Sequence, residues 1–343
     1  MANVGLLYNL GKYDPPEEGE PPDAHAELDG ESTINAVADA LRWGGHEVIF
    51  IEADEDAYDK LRSSNIDIAF NMSEGIKGES RESHMPAICE MLGIPYTGSK
   101  VLSLAVCLDK PCAKKVLAYC GVPTPKFIQV KPGERADVRS LEFPLYVKPA
   151  HEGSSMGVMP SSLVHNLTEL EYQVDYITRF YRQEALVEEF IDGREFTVGI
   201  VGNDPYHVFP IMEISFAHCP ETHKNIYSRQ YKAEWDDPSY YPCPADLDES
   251  EQQMLIDTAI RAYQCLGCLD MGRVDIRLRH GVPYVLEINP LPGLVPGFSD
   301  FPRVAQAEGM KFEELVNYIL DTALERYQMA HLSNRVLRLK TAD

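Results

Sequence analysis

Two carboxylates and one amide lie at short intervals near the C-terminal end of the sequence. The run Gly272 to Asp275 is followed, twelve residues after Asp275, by the run Glu287 to Pro290, which contains Asn289. If the strand-like residues between them form a hairpin, all three side chains converge on one place. Hard cations such as Mg²⁺ take oxygen ligands of this kind and share them with substrate phosphates. The spacing therefore predicts a metal and nucleotide site, with solvated edge residues as the alternative.

A second candidate site is a turn of small residues after a predicted strand. The strand ends in Lys148-Pro149, and the run Glu152-Gly-Ser-Ser-Met-Gly157 follows. Such a turn directs successive backbone N–H groups and the hydroxyls of Ser154 and Ser155 towards an anion, next to a lysine ammonium. These residues predict a phosphate site, to which Lys110 would add a contact. A purely structural turn is the alternative interpretation.

A third candidate region follows in the chain and suits the rest of a nucleotide. The run Leu186 to Ile191 predicts a strand whose exposed backbone can hydrogen-bond an adenine edge, and Asp192-Gly193 would form a hinge after it. The carboxylate of Glu195 is a candidate for binding ribose hydroxyls. Read together, the three regions indicate a protein that binds a nucleotide with a divalent metal.

The composition limits the function classes. With 31 Lys and Arg residues against 54 Asp and Glu residues, the net charge of −23 argues against nucleic acid or an anionic membrane as a partner, because both need a basic surface. No run reaches the roughly 20 apolar residues of a membrane span, and no signal-peptide pattern is visible, so a cytoplasmic protein is predicted. The eight cysteines lie mostly in apolar helical patterns, which predicts reduced, buried thiols; Cys265-Leu-Gly-Cys268 is interpreted as packing.

Changes of periodicity divide the chain into three modules. Strand-like and helical runs alternate in residues 1–108, which predicts an α/β unit with a parallel sheet. Residues 109–192 and 193–330 each combine strands with helices, and the tail 331–343 has too few apolar residues to require packing. Loop 11–30 is either a flexible acidic loop or a lid that faces a substrate. Strands are predicted at 4–8, 47–51, 66–70, 145–149, 186–191 and 195–201, and helices at 32–43, 249–266 and 312–327.

Six short segments occur in an order that is typical of one protein family. They are residues 94–99, 108–110, 147–157, 195–198, 272–275 and 286–293. Together they resemble the ATP-grasp superfamily and, within it, the D-alanine–D-alanine ligase family, over about residues 4 to 325. The resemblance implies an N-terminal parallel α/β domain followed by two α+β subdomains that grip ATP. It also implies an ADP-forming ligase that makes an acyl phosphate, with two Mg²⁺ ions or with Mn²⁺ in their place.

The resemblance also implies roles for individual residues. Together with the interpretation above, the candidate ATP-binding residues are Lys110, Lys148, Glu152, Ser154, Ser155, Glu188, Glu189, Phe190, Ile191 and Glu195. Asp275, Glu287 and Asn289 are similar to the family's ligands of two Mg²⁺ ions. Arg273 and the backbone N–H of Gly293 match positions that stabilise an oxyanion. Ser154 and Tyr231 match positions that close a lid, here the segment 216–244.

Departures from the family's pattern cluster in the amino-acid pockets, and two of them concern the first amino acid. The family's substrate-contacting histidine is absent after the third strand, where Asn71 stands instead. Arg81 is a candidate for binding a substrate carboxylate, since guanidinium groups pair with carboxylates through two hydrogen bonds; a surface pair with Glu82 is the alternative. The glutamate that holds the first substrate's ammonium is also absent, and Glu27 or Glu31 would replace it.

Two further departures concern the lid and the second substrate. Gln230 stands where the lid lysine is expected, so Arg229 or Lys232 would supply the missing charge. The segment 296–300, with Ser299 as the candidate contact, replaces the residues that bind the second substrate's carboxylate. Because these changes spare the nucleotide residues, we expect retained ATP chemistry with a different amino acid or amine.

The predicted function is an ATP-dependent carboxylate–amine ligase that joins an amino acid to another amino acid or to an amino-acid-like metabolite. Two alternatives stay open: an authentic D-alanine–D-alanine ligase, and a non-catalytic regulator that binds a nucleotide. A carboxylase would need a biotin-carrier partner, for which the sequence offers no domain. The expected partners are small-molecule substrates and, from the resemblance, a second copy of the chain bound through the first module. Neither nucleic acid nor membrane is expected.

Overall fold

The computed structural model describes residues 1–11, 21–24, 26–217, 219, 225–235 and 237–333. Its strands are β1 (Asn3–Tyr8), β2 (Glu47–Glu52), β3 (Ile68–Asn71), β4 (Phe127–Val130), β5 (Leu145–Pro149), β6 (Leu163–Val164), β7 (Ala185–Glu189), β8 (Arg194–Gly202), β9 (Tyr206–Val208), β10 (Met212–Ile214), β11 (Met271–Arg279) and β12 (Val282–Asn289). Its helices are α1 (Glu31–Trp43), α2 (Ala57–Ser63), α3 (His84–Leu92), α4 (Val101–Leu108), α5 (Lys110–Tyr119), α6 (Leu167–Tyr176), α7 (Arg229–Glu234), α8 (Glu249–Cys265), α9 (Asp300–Ala307) and α10 (Phe312–Arg326). Every strand and helix predicted above is confirmed, with ends within two residues of those observed.

The first sheet is parallel, with strand order β2-β1-β3, as the alternation of strands and helices predicts. Side chains alternate along a strand, so Val4 and Leu6 of β1 pack against α1 and α10, whereas Leu7 packs against α2 and α3 on the opposite face. The loops after β1 and β3 meet, because the N–H of Gly75 donates to Oδ1 of Asn9 at 2.8 Å. This end of a parallel sheet is where ligands bind in such folds.

The second and third sheets are antiparallel. The second has the order β4-β7-β5-β6, and α6 packs on it through Leu170 and Val174. The third has the order β10-β8-β11-β12, with β9 added to β8. Helix α8 covers one face of this third sheet, and residues of α9 and α10 contact β8. The fold is therefore the predicted mixed α/β architecture, with one sheet in each predicted module.

The module boundaries near residues 108 and 192 stay a prediction. One helix that the prediction assigns to the third module packs on the first. Helix α10 follows the third sheet in sequence but packs along α1 of the first, where Nδ2 of Asn317 donates to the carbonyl oxygen of Ala40 at 2.7 Å. The amino group of Met1 also bonds to the carbonyl oxygen of Leu332 at 2.7 Å. Of the predicted tail, 331–333 are described, and 334–343 lie outside the described residues. In the described part of the chain, no helix has the length and apolar content to cross a bilayer.

One prediction about the cysteines is wrong. Cys120, at the end of α5, and Cys265, at the end of α8, form a disulfide with Cα atoms 6.4 Å apart. The sequence could not show this pair, because 145 residues separate the two positions and only the packing of α5 against α8 brings them together. Cys89, Cys107 and Cys268 are free and buried, as predicted.

Candidate active site

Two connected openings lie where the three modules meet. The first, the inter-sheet groove, runs between β5 and β7 on one side and β8, β11 and β12 on the other. The second, the wide cavity, extends from Lys110 and Glu287 towards the first module and has a volume of about 410 Å³. That volume is within the range of small-molecule sites. Lys110, Ser154, Lys232 and Arg273 line both openings, so a ligand in one would contact a ligand in the other.

The predicted metal ligands lie on one face of the β11–β12 hairpin. Asp275 is opposite Glu287, and Arg273 is opposite Asn289, as a two-residue period requires. Oδ2 of Asp275 accepts hydrogen bonds from Arg273 Nη2 at 2.8 Å and from Asn289 Nδ2 at 3.1 Å, while Thr197 donates to Oδ1 at 2.7 Å. The three predicted ligands therefore stand together, with a guanidinium next to them.

The donor set fits magnesium. Asp275, Glu287 and Asn289 offer only oxygen ligands, which Mg²⁺ prefers, and no thiolate or imidazole that would favour zinc. Among the described residues, no group of three or more His, Cys, Asp or Glu side chains is arranged to hold a metal, so the amide of Asn289 is part of any such site. These residues would hold Mg²⁺ where the groove meets the wide cavity.

Cations surround Glu287. Lys110 Nζ and Lys148 Nζ each lie 3.8 Å from Oε2 of Glu287. Burial alone would raise the pKa of this carboxyl, but Lys110, Lys148 and Arg273 outweigh burial and hold the pKa at about 2. Glu287 is consequently ionised at any physiological pH.

The small-residue turn has the conformation of an anion site. Ser154 and Ser155 adopt left-handed backbone angles, with φ of 45° and 59°, and both line the groove. Among the described residues, the N–H groups of Gly153, Ser154 and Ser155 have no acceptor, whereas that of Gly157 donates to Asp23 at 2.9 Å. Free N–H groups in such a turn are what a phosphate requires.

The ribose candidate has a buried partner that sequence reasoning missed. Arg277 of β11 lies opposite Glu195 of β8 in the sheet, and its Nε and Nη2 donate to Oε2 of Glu195 at 2.8 and 2.6 Å. The same guanidinium donates to the carbonyl oxygen of Ile191 at 2.9 Å and lies 4.6 Å from the ring centroid of Phe190. Burial raises the pKa of Glu195, and Arg277 opposes that shift. Arg277 thus organises the predicted base and ribose end of the groove.

Glu188 has a different environment from the other residues of the predicted adenine strand. Its buried carboxylate lies 2.7 Å from Lys114 Nζ and 3.2 Å from Lys148 Nζ. Burial would raise its pKa, but the two lysines lower it below the usual value. Glu189, Phe190 and Ile191 line the groove, as expected of the predicted adenine strand. The Glu188 side chain instead contacts Lys148, one of the two lysines predicted to bind phosphate. Sequence reasoning missed Lys114, because a lysine within a helix usually faces solvent.

The lid places Tyr227 in the groove. Tyr231 is fully buried and donates to the carbonyl oxygen of Ser215 at 2.7 Å, away from the residues that line the groove. The hydroxyl of Tyr227 donates to Asp300 at 2.9 Å, and Ser155 Oγ donates to the Tyr227 carbonyl oxygen at 3.1 Å. The link between phosphate turn and lid therefore runs through Ser155 and Tyr227, where Ser154 and Tyr231 were expected. Residues 218, 220–224 and 236 of this segment lie outside the described residues.

Two basic residues lie close to Gln230, which stands where the lid lysine is expected. Gln230 is exposed and donates to Glu234 at 2.8 Å. Lys232 and Arg229 line the wide cavity, and Lys232 lies 4.4 Å from the ring centroid of Tyr227. Burial lowers the pKa of Lys232. A positive charge that is absent at position 230 is thus present at position 232, two residues later, where the side chain lines the cavity.

Two candidate substrate residues bind each other. Arg81 Nη2 donates to Glu27 at 2.5 Å and to Glu152 at 2.9 Å, and Nη1 donates to the carbonyl oxygen of His151 at 2.8 Å. Arg81 is buried, so the alternative of a surface pair with Glu82 is wrong. Its donors tie the first module to the phosphate turn.

The remaining candidates differ in their access to the cavity. Asn71 is buried and accepts from Ser73 Oγ at 2.6 Å, and it is not among the residues that line the wide cavity. Ser299 lines the cavity and accepts from the N–H of Val295 at 3.1 Å. A Cβ on Gly293 would lie 3.0 Å from Ser299 Oγ, so a larger residue there would require the Ser299 side chain to shift. Glu31 is exposed at the start of α1.

Comparison with known proteins places this geometry in a family. The family model described as D-ala D-ala ligase C-terminus matches residues 116–321. The uncharacterised protein y4sG of Sinorhizobium fredii is 37% identical over 302 residues, which cover 85% of this chain and 88% of that protein. The D-alanine–D-alanine ligase of Desulforudis audaxviator is 36% identical over 295 residues, covering 85% and 92%.

A solved structure agrees over almost the whole length. The D-alanine–D-alanine ligase from Bacillus anthracis, crystallised in complex with ATP, superposes with a TM-score of 0.74 at 26% identity and covers 96% of this chain and 99% of its own. Fold and relatives together define an ATP-grasp ligase that forms ADP. The chain belongs to the D-alanine–D-alanine ligase family.

Proposed function

We propose that this protein is an ATP-dependent carboxylate–amine ligase that joins an amino acid to another amino acid or to an amino-acid-like metabolite. The observation that carries the proposal is the placement of Asp275, Glu287 and Asn289 on one hairpin face, with Lys110 and Lys148 each 3.8 Å from Glu287. A decayed, non-catalytic protein has no need to keep these groups together. The relatives support a ligase, so the regulator alternative is not retained.

The first chemical step activates the acid. A carboxylate oxygen of the first substrate attacks the γ-phosphorus of ATP, the bond from that phosphorus to the bridging oxygen breaks, and ADP leaves with the electron pair. Mg²⁺, held by Asp275, Glu287 and Asn289, would neutralise charge on the phosphate oxygens. Lys148 is positioned by Glu188, and Lys110 donates to the carbonyl oxygen of Glu152, so both ammonium groups are preorganised for the transferred phosphoryl group.

The second step forms the amide. The unprotonated amine of the second substrate attacks the acyl-phosphate carbon, the oxyanion collapses, and phosphate leaves with the former carboxylate oxygen while the nitrogen loses a proton. Arg273 and the N–H of Gly293 line the wide cavity and are the proposed donors to that oxyanion. Tyr227 and Lys232 lie between the phosphate turn and the cavity, where the lid would exclude water from the intermediate.

The residues predicted to bind the amino-acid substrates argue for a substrate other than D-alanine. Arg81 and Glu27 form an ion pair, and Asn71 is withdrawn from the cavity, so the first-substrate pocket has a different set of groups from the one the family's pattern implies. Authentic D-alanine–D-alanine synthesis is the second candidate, because several relatives bear that name. Incubation with D-alanine, ATP and Mg²⁺ separates the two: no dipeptide by mass spectrometry is expected, and its rapid formation would overturn the altered specificity.

We further propose that the protein acts in the cytoplasm, where ATP is available, and forms a homodimer through β2. This strand is an edge of its sheet, and it exposes Ile49 and Phe50, with 38% and 40% of their surfaces accessible. An exposed apolar edge strand is a surface that another chain can cover. Light scattering should give twice the chain mass, and Phe50→Asp should give a monomer. A monomeric wild-type protein at high concentration would contradict this proposal.

A further inference from the structure

The end of the wide cavity that is formed by the first module is lined by carboxylates. Asp29, Glu74 and Glu82 line it together with Glu27. Glu82 is 92% buried, since only 8% of its surface is accessible. In the described residues, the side chains of Asp29, Glu74 and Glu82 form no hydrogen bond and no ion pair. A buried carboxylate without a partner is costly in an empty site.

The neighbouring cations are already committed. Arg81 binds Glu27, Glu152 and the carbonyl oxygen of His151. Lys110 donates to the carbonyl oxygen of Glu152 and lies 3.8 Å from Glu287. Within the described residues, Glu27 therefore has a cationic partner, whereas no cation forms a hydrogen bond or ion pair with Asp29, Glu74 or Glu82.

The pKa values of these three carboxyls are raised, as expected for carboxyls that are shielded from water and lie near one another. Burial raises the pKa of Asp29 to about 7. Burial and then the charge of Glu27 raise the pKa of Glu82 to about 8, against the opposing effects of Arg81 and Lys110. Burial followed by Glu82, Glu27 and Asp29 raises the pKa of Glu74. A cation placed among them would restore the ionised forms.

We propose that the amino acid bound at this end carries a positively charged side chain, whose cation is held by Glu82 and Glu74. The inference rests on the proposed ligase function and specifies its substrate class. A single α-ammonium would pair with only one of these three carboxyls, and a cationic side chain would pair with a second and favour its ionised form. Leu28, Met72 and Leu108 line the same end and would contact an alkyl stem. The class is thus a basic amino acid with an aliphatic stem.

Cations elsewhere in the cavity lining support this orientation. Arg229, Lys232, Arg273 and Arg303 also line the cavity, and of these Arg273 is paired with Asp275 at 2.8 Å. A zwitterionic substrate with a cationic side chain would place its carboxylate towards these cations and its side chain towards Glu82. An acidic side chain would meet three carboxyls, and a neutral one would form no ion pair with them.

The test compares amino acids that differ only in charge. ADP release is measured with ATP, Mg²⁺ and pairwise combinations of amino acids, with both enantiomers of lysine and ornithine set against norleucine and norvaline, their neutral counterparts of equal stem length. We expect a kcat/KM at least about 100-fold higher for the basic members. Glu82→Gln should reduce that preference about tenfold or more, and Glu74→Gln should act in the same direction. Glu79→Gln, an exposed neighbour outside the cavity, is the matched control and should leave the preference unchanged.

The outcomes separate the inference from the ligase function. Turnover of norleucine as fast as lysine, or an unchanged preference in both Glu variants, would overturn the inference and leave the ligase in place. If no pair of amino acids raises ADP release above the rate with ATP alone, the ligase function is overturned. Binding of lysine but not of norleucine, measured by calorimetry, would then still support the pocket for a cationic side chain. Equal binding of the two, or binding of neither, would refute that pocket. If Glu82→Gln fails to fold, Glu74→Gln decides, because that side chain is only partly buried.

Discussion

Glu287 and Glu82 are carboxyls of the same cavity with opposite electrostatic surroundings. Burial acts on both, but Lys110, Lys148 and Arg273 hold the pKa of Glu287 at about 2, whereas Glu27 adds to burial and takes that of Glu82 to about 8. At one end of the cavity a permanent anion stands among cations, and at the other end Asp29, Glu74 and Glu82 form no ion pair within the described residues, because the nearby Arg81 and Lys110 bind other groups. This division assigns the metal and phosphates to the first end and a cationic substrate group to the second.

The first prediction at this scale concerns Glu287. Glu287→Gln should lower kcat for ADP release by roughly 10²- to 10³-fold, because it removes an anionic oxygen ligand while three cations remain. Steady-state rates at saturating ATP and substrates measure the effect. Glu142→Gln, on an exposed side chain, is the control and should behave as wild type. A Glu287→Gln enzyme with more than about half the wild-type rate would remove this residue from the metal site.

The second residue prediction concerns Arg277. Arg277→Met should lower the free energy of unfolding by about 3–5 kcal/mol, since it leaves the buried Glu195 without a partner. Urea denaturation measures the change. Adding Glu195→Leu to the same chain should recover part of the loss, because the unpaired charge is then gone as well. Equal stabilities for the single and double variants would show that the pair is not coupled.

At the scale of elements, local patterns were predictable and long-range partners were not. The β11–β12 hairpin follows from spacing alone, so the convergence of Asp275, Glu287 and Asn289 could be expected before the structure. The pairing of Arg277 with Glu195 depends on the register between β8 and β11, which are far apart in sequence. The sequence placed Tyr231 at the lid closure, but α7 turns that ring into the core, and Tyr227, which precedes α7, lines the groove instead.

Helix α7 of the lid carries its own prediction. Lys232→Met should lower kcat for ADP release roughly tenfold to a hundredfold, because Lys232 supplies the positive charge that is absent at position 230. Gln230→Ala, in the same helix but on its exposed side, should change the rate little. Rates for both variants at saturating ATP provide the comparison. A larger loss in Gln230→Ala than in Lys232→Met would contradict this account of the lid.

At the scale of the whole molecule, the first module completes the site of the other two. Asp23 accepts from the N–H of Gly157 at 2.9 Å, and Arg81 donates to both Glu27 and Glu152, so the described part of loop 11–30 is joined to the phosphate turn. The sequence predicted three modules in order and a candidate lid in this loop, of which 12–20 and 25 lie outside the described residues. The return of α10 to the first sheet and the disulfide between α5 and α8 depend on packing between distant segments, which the sequence alone does not reveal.

The acidic end of the cavity makes the stability of the whole molecule depend on pH. Because the folded-state pKa values of Asp29 and Glu82, about 7 and about 8, exceed those of an unfolded chain, near 4, their contribution is present at low pH and is lost as the pH rises towards 8. The groups that face them are Glu27, Glu74, Arg81 and Lys110. Without substrate, Tm should fall by several degrees between pH 5.5 and 8.5, and less in Glu82→Gln. An equal decrease of Tm with pH in the wild type and in Glu82→Gln would contradict the raised pKa of Glu82.

The most direct test of the central claim follows one oxygen atom through the reaction. An amino acid labelled with ¹⁸O in its carboxylate is incubated with ATP, Mg²⁺ and the second amino acid, and the released phosphate is analysed by mass spectrometry. The account predicts ADP and one ¹⁸O atom in each phosphate, because the carboxylate oxygen that attacks the γ-phosphorus leaves with it. Unlabelled phosphate, or AMP with pyrophosphate in place of ADP, would contradict an acyl-phosphate ligase.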